Sequence, residues 1–272
     1  METIEQIVLR HSARGMTCLL PELPADFCMC AAREILSWSN GVVVLLTGFD
    51  VGGAPETDGP TGTYVLACAL VDLGYEPIVV SEGSVCAFFT AHGIATREVH
   101  PGDGADSMRL LLDVLSPVGI VSIERCGRTS QGAYRNMRGV DISAHTSPSD
   151  ELVVQAALRG IRTVGVGDGG NEIGMGNVAR AISRQLSLEP CAVTVDCLVI
   201  ATVSNWGAYG IVQALGLCAG RSLLPLFGYI DGFYRFIVDR GSVDGTTGSH
   251  RLSVDGFNME VERGVVEALR RM

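Results

Sequence analysis

An unbroken apolar run, Val42 to Leu46, passes through Thr47-Gly48-Phe49-Asp50 into a loop rich in glycine and acid, and Thr61 then opens a helical pattern. A run of this kind reads as a strand buried on both faces, which belongs in a parallel sheet covered by helices. Strand, glycine-rich turn and helix N-terminus in succession are also how open α/β sheets build anion and ligand sites. The rest of the chain can be read as walls around that feature.

Periodicity places helices at 3–17 and 25–38 ahead of the first strand, 42–49. After it come a helix at 61–73, a strand at 77–81, a helix at 83–92, a strand at 95–99 and a helix at 105–115. A fourth strand at 118–124 runs into an aperiodic segment of about 25 residues with three Arg, which reads as a functional loop. Ser149 or Asp150 caps a helix at 150–159, and a strand at 162–166, a helix at 177–187 and a strand at 197–203 follow. Ser204-Asn205-Trp206-Gly207 opens a helix to about Leu215, and helices at 229–239 and 258–271 close the chain. Alternation at these spacings predicts an α/β fold, a doubly wound, mostly parallel sheet with helices on both faces. Residues 1–39 are expected to form an N-terminal helical cap, and 40–272 the α/β domain.

Composition narrows the chemistry. All twenty basic residues are Arg, so Lys Schiff bases, a Lys-anchored pyridoxal cofactor and a P-loop Lys are excluded together. The formal charge of −10 argues against nucleic acid as a partner, because such binding rests on phosphate neutralisation. The nine Cys lack framework or zinc spacing and read as reduced core thiols. No apolar run approaches the roughly 18 residues needed to cross a membrane, and Met1-Glu2-Thr3-Ile4-Glu5 lacks a basic signal region. A cytoplasmic protein is the expectation, and self-association as a homo-oligomer stays open.

Ligands of doubly wound sheets sit outside the carboxyl ends of the strands. Four such ends carry polar, glycine-rich sequence here, contributing Asp50, Glu56 and Asp58; Glu124, Arg125 and Arg128; Asp168, Asn171 and Glu172; and Ser204 and Asn205. Acids, amides and guanidiniums around helix N-termini suit a small zwitterion, an acidic amino acid. Arg and helix N–H groups hold carboxylates, while acids hold an ammonium group or a divalent metal, Mg²⁺ or Mn²⁺. Asp50, Asp168 and Glu172 are the metal candidates. Glu124 closes an apolar strand, where a carboxylate needs partners, and stands out as a candidate base. Capping and turn roles compete with function at Asp58, Asp168 and Asn205. Cys126 beside Arg125 reads as structural, and His145 is the one His in a candidate site loop.

The segments TGFDVGGAPETDGPTG (47–62), IERCGRTSQGAYRNMRGVDIS (123–143), GDGGNEIGMGN (167–177) and SNWGAYG (204–210), with VDGF at 254–257, resemble the D-glutamate cyclase-like family. The resemblance is to its C-terminal domain and to stand-alone bacterial members, and it covers about Asn40 to the C-terminus. It implies a lyase that interconverts D-glutamate and 5-oxo-D-proline plus water. Within that reaction Glu124, Asp50 and Asp168 are the catalytic candidates. Arg125, Arg128, Arg138, Asn171, Glu172, Ser204, Asn205, Gly59 and Thr61 are the substrate-binding candidates.

Two other readings stay open at this stage. GDGGNEI is similar to the GDGxND acid motif of Mg-dependent haloacid dehalogenase-type phosphatases, but Phe49-Asp50-Val51-Gly52 lacks the second Asp of their nucleophile motif. A non-catalytic module that binds a small acidic amino acid is the other. A dinucleotide site fits poorly, since 48–53 has no GxGxxG and the acid-rich loop would repel a pyrophosphate.

Overall fold

The apolar run at 42 lies at the centre of a six-stranded parallel sheet in the computed structural model, which describes residues 2–12, 14–186 and 188–272. In chain order, α1 (Ile4–Val8) and α2 (Phe27–Leu36) precede β1 (Val42–Thr47) and a short hairpin of β2 (Asp50–Val51) and β3 (Ala54–Pro55). There follow α3 (Pro60–Asp72), β4 (Glu76–Ser81), α4 (Gly83–Thr90), β5 (Ala95–Glu98), α5 (Ala105–Leu115) and β6 (Gly119–Ile123). Next come α6 (Asp150–Leu158), β7 (Arg162–Gly167), α7 (Ala179–Gln185), β8 (Cys197–Ile200) and α8 (Ser204–Ala219). The chain closes with α9 (Phe227–Val238), a second hairpin of β9 (Ser253–Val254) and β10 (Phe257–Asn258), and α10 (Met259–Arg270).

The sheet order is β5-β4-β1-β6-β7-β8, so the chain winds outward on one side of β1 and then crosses to the other. Right-handed crossovers place α3 and α4 on one face and α5, α6 and α7 on the other. α8 packs on α3 and α2, and α5 packs on α6. Register brings the strand ends level: Thr47 lies opposite Ile123, Ile123 opposite Val166, and Gly167 opposite Ile200. The doubly wound α/β fold expected from the alternation is the observed one, and four polar strand ends share a rim beside the β1/β6 switch point. Among the described residues no helix is long and apolar enough to cross a membrane.

The N-terminal region departs from the sequence reading. The helix expected over 3–17 ends at Val8, and a 3₁₀ helix with Pro21 inside it occupies Met16–Glu22. Gly15, at φ 79°, sits in the left-handed region between them. Ile4, Ile7, Val8, Phe27, Ala31 and Ile35 share one hydrophobic core with the strands. The helix expected over 177–187 begins as a 3₁₀ turn, Met175–Val178, and is α-helical only from Ala179 to Gln185. Ala13 and Ser187, inside two of the expected spans, lie outside the described residues. The glycine-rich loop after β1 holds a hairpin because Gly52 and Gly53 both take positive φ, 63° and 90°, as a tight two-residue turn requires.

The α3–α8 contact sets the depth of the site. A Cβ on Gly62 would meet the Ala208 Cβ at 2.8 Å and the Asn205 Cα at 2.9 Å, both carried by the α8 backbone. Neither can swing aside as a long side chain would. Gly62→Ala is therefore expected to cost about 1–3 kcal/mol by forcing the helices apart, measurable as a fall in Tm. An unchanged Tm would mean that this crossing yields freely.

Candidate active site

The two helices that meet at the rim cap each other. Asp58, just before α3, accepts hydrogen bonds from the backbone N–H groups of Ser204 and Asn205 at the start of α8, both at 2.8 Å. Asn205 Oδ1 in turn accepts from Gly59 N at 3.0 Å and Gly62 N at 2.6 Å, at the start of α3. Each side chain thus meets N–H groups left free at the other helix's first turn. Asn205 Nδ2 donates to Thr57 O and to Tyr234 Oη, and Tyr234 donates to Glu262 Oε1 at 2.8 Å. Glu262 is fully buried, and it also accepts from Tyr209 and Trp206. The rim is tied to α9 and α10 by this chain of bonds.

Gly59 (φ 91°) allows the next contact: a Cβ there would lie 2.8 Å from both Glu124 Cβ and Thr47 Oγ1. Glu124 itself holds a φ of +45°, sparsely populated for a residue with a side chain and found where the surroundings dictate the conformation. Ser204 Oγ donates to Glu124 Oε2 at 2.6 Å. One oxygen each from Asp58, Glu124 and Asp168 lies within 4.8 Å of the others, and all three residues are buried. Arg14, from the segment between α1 and the 3₁₀ helix, donates to Asp168 at 2.7 Å and to Asp255 at 2.5 Å. Asp168 Oδ2 and Asp255 Oδ2 are buried and meet no N–H or hydroxyl donor among the described residues.

Burial is the main force on these acids. It pushes the Asp58 carboxyl up to about 7, with Asp255 adding to it against the N–H donors of α8. It pushes Asp168 up to about 8 even beside Arg14. Glu124 is held well above the carboxylate range by burial and then by Asp168, Glu172, Asp58 and Glu56. Glu56 and Asp255 are raised in the same way, by burial first and then by neighbouring carboxyls. The crowding of like charges in a dry place favours any positive species that can enter.

Above the acids opens a cavity of about 900 Å³. Of the residues expected at the site, Asp50, Glu124, Arg138, Asp168, Asn171 and Glu172 line it. So do Arg14, Glu56 and His145, and the wall includes Phe49, Met137, Val140 and Ile142. The long segment after β6 forms one side of this cavity. Its guanidinium is Arg138, which donates to Thr246 O at 3.4 Å. Asp50, at the first hairpin, accepts from Gly53 N and stands apart from the three clustered acids. Both Glu172 oxygens accept backbone N–H groups, from Gly169 and Gly170 at 2.7 Å each, which shapes the loop after β7. Among the metal candidates read from sequence, Asp168 alone belongs to the triangle, and Asp58 and Glu124 complete it.

Arg125 and Arg128 lie away from the cavity wall. Arg125 is buried, bonded bidentately to Glu82 at 2.6 and 2.5 Å and to Gly48 O, Ser147 and the Ser149 hydroxyl. The Ser149 hydroxyl, expected to cap α6, serves Arg125 instead. Arg128 pairs with Glu151 at 2.8 Å and Asp150 at 3.5 Å. Thr61 is fully buried in α3. Ser204, Asn205 and Gly59 act on the rim through the contacts given above. Cys126 is buried, and burial holds its thiol well above the usual range, which removes it as a thiolate nucleophile. Arg14 and Asp255 were not legible as site residues, since neither lies at a parallel strand end. Glu56 was placed at the rim by its loop and also reaches the cavity.

Buried carboxyls and guanidiniums thus gather at the rim of a parallel α/β sheet, beside its switch point. The chain belongs to the D-glutamate cyclase-like family, matching the family's C-terminal domain over residues 4–270. It is similar to the mitochondrial D-glutamate cyclase of Homo sapiens, 32% identical over 214 residues, 71% of this chain and 34% of that protein. It thus spans about a third of that relative's length. Solved structures with some likeness include the Bordetella bronchiseptica enzyme WbmG with NAD (13% identity, TM-score 0.32, 66% of this chain and 50% of that one). Another is an actinorhodin polyketide ketoreductase with NADPH (14%, TM-score 0.31, 85% and 89%). Likenesses this slight carry no functional argument.

Proposed function

We propose that this chain is a D-glutamate cyclase-like hydro-lyase, interconverting D-glutamate and 5-oxo-D-proline plus water. The observation that carries the reading is a floor of buried carboxyls under a cavity that also holds guanidiniums, in a chain of this family. The balance of the reaction explains the need for such a floor. The α-ammonium sheds two protons as its nitrogen bonds to the carbon of the γ-carboxylate, a C–O bond of that group breaks, and those two protons turn the released oxygen into the departing water. The site must therefore bind an ammonium, take up its protons and cancel the charge on the γ-carboxylate.

Glu56 and Glu124 face the cavity and are suited to hold the ammonium and receive its protons. Arg138, which lines the same cavity, suits the α-carboxylate. Arg125 and Arg128 do not line the cavity, so the charge on the γ-carboxylate falls to Arg14, which does, or to another cation at the floor. Curling the substrate into a five-membered ring is a positioning task for these walls.

Proton NMR of the purified chain with D-glutamate, L-glutamate and 5-oxo-D-proline tests the reading. Interconversion of the D-compounds is the expected result. No interconversion, with a ligand-induced rise in Tm, would replace it with binding of an acidic amino acid without turnover.

A further inference from the structure

We infer that the Asp58–Glu124–Asp168 triangle is a binding site for a divalent, oxygen-preferring cation of the Mg²⁺/Mn²⁺ class. The inference stands on geometry and deepens the reading above by naming the charge that meets the γ-carboxylate. Three carboxylate oxygens within 4.8 Å of one another match the spread of ligands around one ion. Oxygen ligands at about 2.1–2.4 Å from an ion lie at most about twice that distance apart. The donor set is carboxylate alone, without His or Cys, which favours Mg²⁺, Mn²⁺ or Ca²⁺ over zinc or copper.

A second observation points to the same occupant. Asp168 is 1% exposed, its Oδ1 accepts from Arg14, and among the described residues no N–H or hydroxyl donor meets its Oδ2. A buried carboxylate oxygen left unpaired is costly, and a cation relieves that cost. Charge count agrees: Glu56, Asp58, Glu124, Asp168 and Asp255 crowd together, while Arg14 is the guanidinium bonded to the group.

The ligands are also held ready. Asp58 is fixed by two N–H groups of α8, Glu124 by Ser204 and its left-handed backbone, and Asp168 by Arg14. A carboxylate has about four lone-pair sites, so each of these residues keeps room for an ion beside its existing bonds. Glu124 and Asp168 line the cavity, so the ion's remaining positions face the substrate side. There it would polarise the γ-carboxylate as a Lewis acid.

Electron paramagnetic resonance of Mn²⁺ mixed with the full chain, without substrate, tests this independently of turnover. The expected result is loss of the free-ion signal at protein excess and its return on adding Mg²⁺. Asp168→Asn and Glu124→Gln should each weaken Mn²⁺ binding at least tenfold with Tm retained, while Asp141→Asn, a cavity-lining acid outside the triangle, should bind as the parent does. Mn²⁺ that stays free, or that binds both triangle variants like the parent, overturns the site. Turnover is measured separately, so loss of the cation site and failure of the cyclase reading give different results.

Discussion

Glu124→Gln is expected to lower turnover in the proposed D-glutamate reaction by about a hundredfold or more, the low end of what a positioned proton-transfer group supplies, while leaving Tm unchanged or raised. The amide keeps the size of the side chain and still offers an oxygen to Ser204 Oγ, so the 2.6 Å contact has a successor. The left-handed backbone at φ +45° costs the same with either residue. What disappears is one of several carboxyls that burial and mutual repulsion hold at raised pKa, and its removal relieves the repulsion. Stability and activity should therefore separate, as expected where function holds like charges together. Steady-state rates and calorimetry on the same preparation check this. Full activity would remove Glu124 from the chemistry, and a large fall in Tm would make it a structural residue.

The parts of this design that the sequence disclosed are those written in local pattern. Val42–Leu46 is apolar throughout and Gly119–Ile123 apolar but for Ser122, and each runs into polar, glycine-rich sequence, so the strands and the rim they share could be read from the pattern. Glu124 drew notice because a carboxylate closing an apolar strand needs a reason, and its neighbours supplied one. Asp58 and Asn205 were read as equally good caps or ligands. They are caps, but each caps the other's helix across 147 residues, a pairing that no local window contains.

Arg14 lies 154 residues from Asp168 and 241 from Asp255, and its own segment shows no pattern that foretells either bond. The second hairpin had a signal that went unused as structure. Asp255-Gly256, both at positive φ, is a strong two-residue turn between Val254 and Phe257. The hairpin matters because it brings Asp255 to Arg14.

Arg125 supplies the other large effect, on stability. Replacing it with Ala should cost about 3–5 kcal/mol, the usual loss when one partner of a buried pair is removed. Its side chain is 2% exposed and that of Glu82 is 23%, so the pair is largely withdrawn from water. Without Arg125, Glu82, the Ser147 and Ser149 hydroxyls and Gly48 O lose a donor together. Lys should not rescue, since one ammonium cannot reproduce a planar fork that spans both Glu82 oxygens.

The acid limb of stability gives an independent check. Burial alone would raise the Glu82 carboxyl, but the Arg125 charge and hydrogen bonds outweigh it and bring the group down to about 2 from its usual 4.5. A depressed folded-state value stabilises above the unfolded value and is lost as pH falls through the folded one. The parent should therefore lose about 3 kcal/mol between pH 4.5 and 2 from this group, and Glu82→Gln should flatten that limb. A rise in KM at Arg125 with Tm and the acid limb unchanged would return this residue to the substrate. A fall in Tm with KM preserved in the folded fraction would leave it as the anchor that holds the loop after β6 against the sheet.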